Sequence, residues 1–118
     1  MDTDVTVKST VWLERAGEYL LGEPEAQLLE AVERVGSIKE AAKAVALSYR
    51  TAWARIQTLE RAMGRPVVRS RAGGPGGGAT TLTPEGRELV RGLLELSKRV
   101  EVTVVREYRP APAPALMQ

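Results

Sequence analysis

Two alanines, a leucine–serine pair and a spaced aliphatic stripe constrain this chain more than anything else in it. Ala41-Ala42 is followed by Leu47-Ser48 and then by Ala52, Ile56 and Leu59. Apolar residues recur at helical spacing on both sides of the Leu47-Ser48 pair: Ala41, Ala42 and Val45 before it, and Ala52, Trp53, Ile56, Leu59 and Met63 after it. Two helices that cross steeply over so short a turn need small side chains where their backbones approach, and the alanines supply them. Leu47 plugs the turn, and Ile56 and Leu59 tie the second helix to the body. A helix-turn-helix is therefore predicted over residues 37–63, with Trp53 expected in the core rather than as a stacking platform.

The punctuation agrees. Ser37 and Glu40 have capping-box spacing, in which each side chain satisfies a backbone amide of the other. That helix is expected to end near Ala46. Ser48 is a suitable N-cap for the next one, which Gly64 and Pro66 close. Upstream, residues 5–13 alternate with Val5, Val7, Val11 and Leu13 on one parity, the mark of a half-buried strand. Arg15-Ala16-Gly17 reads as a turn and residues 18–21 as the returning strand. Pro24 fits the first turn of a helix carrying Leu28, Leu29, Val32 and Val35, stopped by Gly36. Downstream, residues 67–71 and 79–82 read as paired strands around a pliant glycine-rich loop at 73–78. Thr83-Pro84 then opens a long amphipathic helix bearing Leu89, Val90, Leu93, Leu94, Leu96 and Val100. Residues 100–105 are rich in β-branched side chains, so strand and helix both remain open there. Residues 109–115 alternate proline and alanine and cannot continue a helix.

The expected fold is mainly α with small β hairpins: a winged helix-turn-helix with an N-terminal hairpin and a long C-terminal helix. One domain is expected over residues 1–108, with a Pro/Ala-rich tail at 109–118. The 118 residues suit a single modest core. The chain has no cysteine and no histidine, which removes disulfides, zinc fingers and histidine-based triads. The glycine run lacks the following Gly-Lys-Ser/Thr of a phosphate-cradling loop and precedes a strand. No catalytic grouping appears, so neither enzymatic activity, a metal nor a cofactor is expected. No apolar run approaches the roughly 20 residues that span a bilayer, and a cytoplasmic setting without membrane association is expected.

The face of the second helix opposite its apolar stripe carries Ser48, Tyr49, Arg50, Thr51, Ala54 and Arg55. The N-terminal residues of a recognition helix reach base edges in the major groove. Arg50 has the fork to donate two hydrogen bonds to a guanine edge, and Thr51 and Ala54 suit thymine methyls. Ser48, Tyr49 and Arg55 suit bases or phosphates. Lys39 and Lys43, on the preceding helix, are placed for phosphate contact, and Arg69 and Arg71 flank the wing. These residues point to double-stranded DNA. A net charge of +2 permits that partner without demanding it. The competing reading is a winged helix that docks on a protein and never touches DNA; Arg50 and Arg55 weigh against it. Leu89, Leu93, Leu96 and Val100 form a stripe expected to serve dimerisation, against the plainer reading that it packs back on the first helix.

Residues 36–87 resemble the DNA-binding domain of ModE-type molybdate-responsive transcription regulators, relatives of the LysR-type winged helix. The resemblance rests on Gly36-Ser37-Ile38, Ala41-Ala42, Ser48-Tyr49, Ala52-Trp53 and Ile56, and on the glycine run leading into Leu82-Thr83 and Gly86. It implies a homodimeric regulator, usually a repressor, on an inverted-repeat operator near molybdate-uptake or molybdenum-enzyme genes. Full-length members carry a C-terminal oxyanion-binding domain. This sequence ends at Gln118, so molybdate is not expected to bind this chain.

Overall fold

In a computed structural model of the chain, residues 4–74 and 77–110 are described. The order is β1 (Trp12–Arg15), β2 (Glu18–Gly22), α1 (Glu23–Val35), α2 (Ile38–Ala44), α3 (Tyr49–Met63), β3 (Val68–Gly74), β4 (Gly77–Leu82) and α4 (Pro84–Glu107). The strands form two separate antiparallel hairpins, β1–β2 and β3–β4. This is the expected winged helix-turn-helix.

Helix α1 is the hub, packing on α2, α3, α4, β2 and β4. It turns Ala26, Leu28, Leu29, Ala31 and Val32 inward, whereas Val35, expected in that stripe, is 42% exposed at the helix end. Gly36 follows with φ 76°, the left-handed conformation that closes a helix. Ala41 and Ala42 of α2 are 0% and 1% exposed, and Ala52 of α3 is 0% exposed. The small side chains let the two helices close on each other, as their spacing implies.

Helix α3 is pinned at both ends. Ser48 Oγ accepts the Thr51 amide at 3.0 Å. At the other end Gly64 takes φ 70°, and the Arg15 guanidinium donates to the Met63 carbonyl at 2.7 Å, placing a cation on the orphan carbonyls of a helix C-terminus. The Glu60 carboxylate accepts the amides of Val67 and Val68 at 2.8 and 3.2 Å, which ties α3 to the root of the wing. The first turn of α4 rests on the same root. Thr83 donates its amide to the Val67 carbonyl at 2.9 Å and caps α4 by accepting the Gly86 amide at 3.0 Å.

Several boundaries differ from expectation. The strand expected over 5–13 is confined to Trp12–Arg15. Its partner β2 ends at Gly22, opposite Trp12, where the chain turns into α1, so earlier residues have no ladder to join. Helix α2 stops at Ala44 rather than near Ala46, because Ala46 takes φ 59°. Ser37 caps α2 through the Glu40 amide, but the Glu40 carboxylate turns to Lys43 at 3.4 Å, so the capping box is half formed. The wing strands reach into the glycine run, pairing Gly74 with Gly77; residues 75–76 of the expected loop lie outside the described residues. Residues 100–107 are helical. Of the expected tail, residues 111–118 lie outside the described residues.

Candidate nucleic-acid interface

With Ala52, Ile56 and Leu59 all at 2% exposure or less, the opposite side of α3 faces solvent. Ser48, Tyr49, Arg50, Thr51 and Ala54 are exposed there. Successive helix residues are about 100° apart, so this outward face continues along the helix through Gln57 and Arg61. Those two were not singled out from sequence, though the same periodicity would have found them. Ser48 and Thr51 hydroxyls bond each other at 2.9 Å; their first duty is the cap.

Among the described residues, a recess lies on each flank of the helix. One, of about 330 Å³, lies on the side of the N-terminal hairpin and is lined by Tyr19, Glu25, Arg50, Thr51, Ala54 and Arg55 among others. Here Arg55 reaches Glu25 at 3.8 Å, so its charge is balanced within the protomer. The Tyr19 hydroxyl donates to the same carboxylate. Desolvation first, and then Glu25, push the Tyr19 pKa up to about 12. The other recess, of about 360 Å³, lies toward the wing and brings together Lys39, Tyr49, Trp53, Ser70 and Thr80. Trp53 is thus corrected: it is 49% exposed, not core. It sits one residue past Ala52, on the flank, and the close approach of α2 leaves no room inside for an indole.

The expected cations separate into two groups. Lys43 and Arg55 have carboxylate partners in Glu40 and Glu25. Among the described residues, Lys39, Arg50, Arg69 and Arg71 have no carboxylate at ion-pair distance. Arg69 and Arg71 stand on the face of the wing opposite Ser70, since side chains alternate along a strand, and both are exposed. They do not join Lys39 in its recess.

The stripe expected to serve dimerisation divides. Leu93 is 1% exposed inside the protomer's own core, and Leu89 packs against that core. Leu96 is 40% exposed and Val100 is half-buried. Beyond them Val102, Val105 and Tyr108 are exposed at 54%, 59% and 37%. The first half of α4 therefore packs back on α1, and its second half carries apolar side chains past the body of the fold.

The helix-turn-helix, its wing and the long following helix define the chain as a winged helix-turn-helix protein. The pattern of "Bacterial regulatory helix-turn-helix protein, lysR family" matches residues 25–87, and the chain belongs to that family. Within it, the chain is similar to the ModE type. It is 39% identical over 106 residues to the molybdenum-pterin-binding protein MopA of Rhodobacter capsulatus, covering 88% of this chain and 40% of that protein. It is 49% identical over 70 residues to the molybdenum transport protein ModE of Azotobacter vinelandii, covering 59% and 26%. The chain thus spans well under half the length of these relatives. Among solved structures, the crystal structure of a LysR family transcriptional regulator matches with TM-score 0.57 and 27% identity, over 75% of this chain and 31% of that one. The BenM_DBD/benA site 1 DNA complex matches with TM-score 0.54 and 21% identity, over 71% and 89%, a likeness of fold.

Proposed function

We propose that this chain is a sequence-specific double-stranded DNA-binding transcription regulator, with α3 entering the major groove. The observation that carries the reading is Arg50: it stands exposed in the first turn of a helix whose opposite face is buried, with no carboxylate at ion-pair distance among the described residues. An unneutralised guanidinium there suits the two acceptors of a guanine edge. Tyr49, Thr51 and Ala54 share its face. Lys39, Lys43, Arg69 and Arg71 serve the phosphates on either side, and Arg55 does so only by leaving Glu25. The relatives' names bring in molybdenum, and the regulated genes are accordingly those of molybdenum uptake or use, under repression.

The working unit is residues 1–108, acting as a homodimer through the second half of α4, where Leu96 and Val100 meet their counterparts. Two-fold symmetry then requires an inverted repeat. A cytoplasmic setting suits that role, and no helix among the described residues is long and apolar enough to cross a membrane.

The test is selection of bound sequences from a random duplex pool. Enrichment of an inverted repeat is the expected result. A pool that stays random after repeated rounds sinks the sequence-specific reading.

A further inference from the structure

The chain contains two tryptophans, three tyrosines and no phenylalanine, and all five aromatic side chains lie at the surface, from 37% exposed at Tyr108 to 54% at Tyr49. The core is wholly aliphatic. A half-exposed indole leaves apolar area in water that folding would otherwise bury. Two of the five, Tyr49 and Trp53, are four residues apart on the flank of α3 that faces the wing, and both line the recess that also holds Lys39, Ser70 and Thr80. Among the described residues, nothing covers that recess.

We propose that Trp53, with Tyr49, seats one stretch of the sugar–phosphate backbone beside the groove that α3 enters. The inference rests on the DNA-binding reading above. The chemistry of the recess selects the occupant. Bases in an intact duplex have their faces covered by their neighbours, so an indole has no base to stack on. What a duplex presents to the flank of an inserted helix is its backbone, an alternation of apolar sugar and anionic phosphate. The ring faces of Trp53 and Tyr49 match the sugar. The Lys39 ammonium, with no carboxylate at ion-pair distance among the described residues, matches the phosphate. Ser70 and Thr80 share one hydrogen bond at 3.1 Å, which leaves one hydroxyl proton for a phosphate oxygen. Because Lys39 comes from α2, the aromatics from α3 and the hydroxyls from the wing, one phosphodiester there fixes the depth of α3 in the groove. Such a contact positions the protein and carries no base preference of its own.

The experiment uses Trp12→Phe, which leaves Trp53 as the sole tryptophan. It is titrated with duplexes enriched in the selection, following tryptophan emission and the anisotropy of labelled DNA together. Trp53 emission should change with the same midpoint as anisotropy. Trp53→Ala should weaken enriched and unrelated duplexes alike by about tenfold, with Trp53→Phe keeping most of the affinity. A rise in anisotropy with unchanged emission overturns the proposal, and so does unaltered affinity in Trp53→Ala. A loss confined to one base position also overturns it, by making Trp53 a base reader. If no duplex binds at all, the DNA-binding reading falls and this inference with it.

Discussion

Glu33 of α1 and Arg87 of α4 meet at 2.7 Å, and the second oxygen of the same carboxylate accepts the Leu82 amide at 3.1 Å. One side chain thus clamps the first helix, the end of the wing and the start of the last helix. The Arg87 hydrogen bonds, followed by the Leu82 amide, hold the Glu33 pKa below its ordinary value of 4.5. A carboxyl that is more acidic when folded contributes stability above its unfolded pKa and loses it as pH falls through the folded value. Stability should therefore decline on acidification below about pH 4.5, partly through this group. Glu33→Gln should cost about 1 kcal/mol at pH 7, a modest figure because the pair is partly exposed. The gap from wild type should shrink as pH drops. Urea unfolding at several pH values checks this; a gap that is constant with pH assigns the cost to something other than charge.

Two glycines of α4 should respond in opposite senses to the same substitution. A Cβ on Gly86 would collide with the Val67 carbonyl, whereas one on Gly92 would meet nothing within 4 Å. Gly86→Ala must push α4 off the root of the wing and should cost about 1–3 kcal/mol. Gly92→Ala, in the middle of a helix, should gain up to about 1 kcal/mol. Thermal melting of the two variants decides it, and equal shifts would show that α4 does not rest on Val67 as described.

Arg50 and Lys43 should separate base reading from backbone affinity. Arg50→Ala should relax preference at one operator position and cost about 1–3 kcal/mol on the preferred duplex. Lys43→Ala should weaken all duplexes alike and lower the salt slope by about one. Binding isotherms across salt on preferred and shuffled duplexes give both readouts. A uniform loss in both variants would move Arg50 to the backbone.

The division of the α4 stripe makes a distinct demand on association. Leu96→Asp with Val100→Asp should yield a folded monomer by sedimentation equilibrium, since neither side chain is fully buried in the protomer. Leu93→Ala should instead lower thermal stability by about 2–5 kcal/mol, as core leucine truncations do. A dimer surviving the double aspartate variant would place the interface elsewhere.

Much of this protein is legible in local rules. Ser37, Ser48 and Thr83 each cap a helix as their positions imply, and the glycines at 36 and 64 end helices in the left-handed region. Caps and periods work because they involve residues within one turn of each other. The N-terminal strand failed because pairing depends on a partner: the alternation of residues 5–13 is genuine, but β2 is only five residues long.

The sequence by itself determined the helix-turn-helix, the wing and the outward position of Tyr49, Arg50 and Thr51, because the buried stripe of α3 fixes which face is left over. Tertiary structure decided the flanks and the charges. Trp53 lies beside the buried stripe, where inside or outside depends on how closely α2 approaches, and two alanines on α2 close that space. Arg55 and Arg50 look alike in sequence, yet only Arg55 meets a carboxylate, because α1 brings Glu25 to it across the fold. Leu93 and Leu96 belong to one stripe, and only the point where α4 leaves the body makes the first core and the second surface. In each case the deciding neighbour is remote along the chain and close in space.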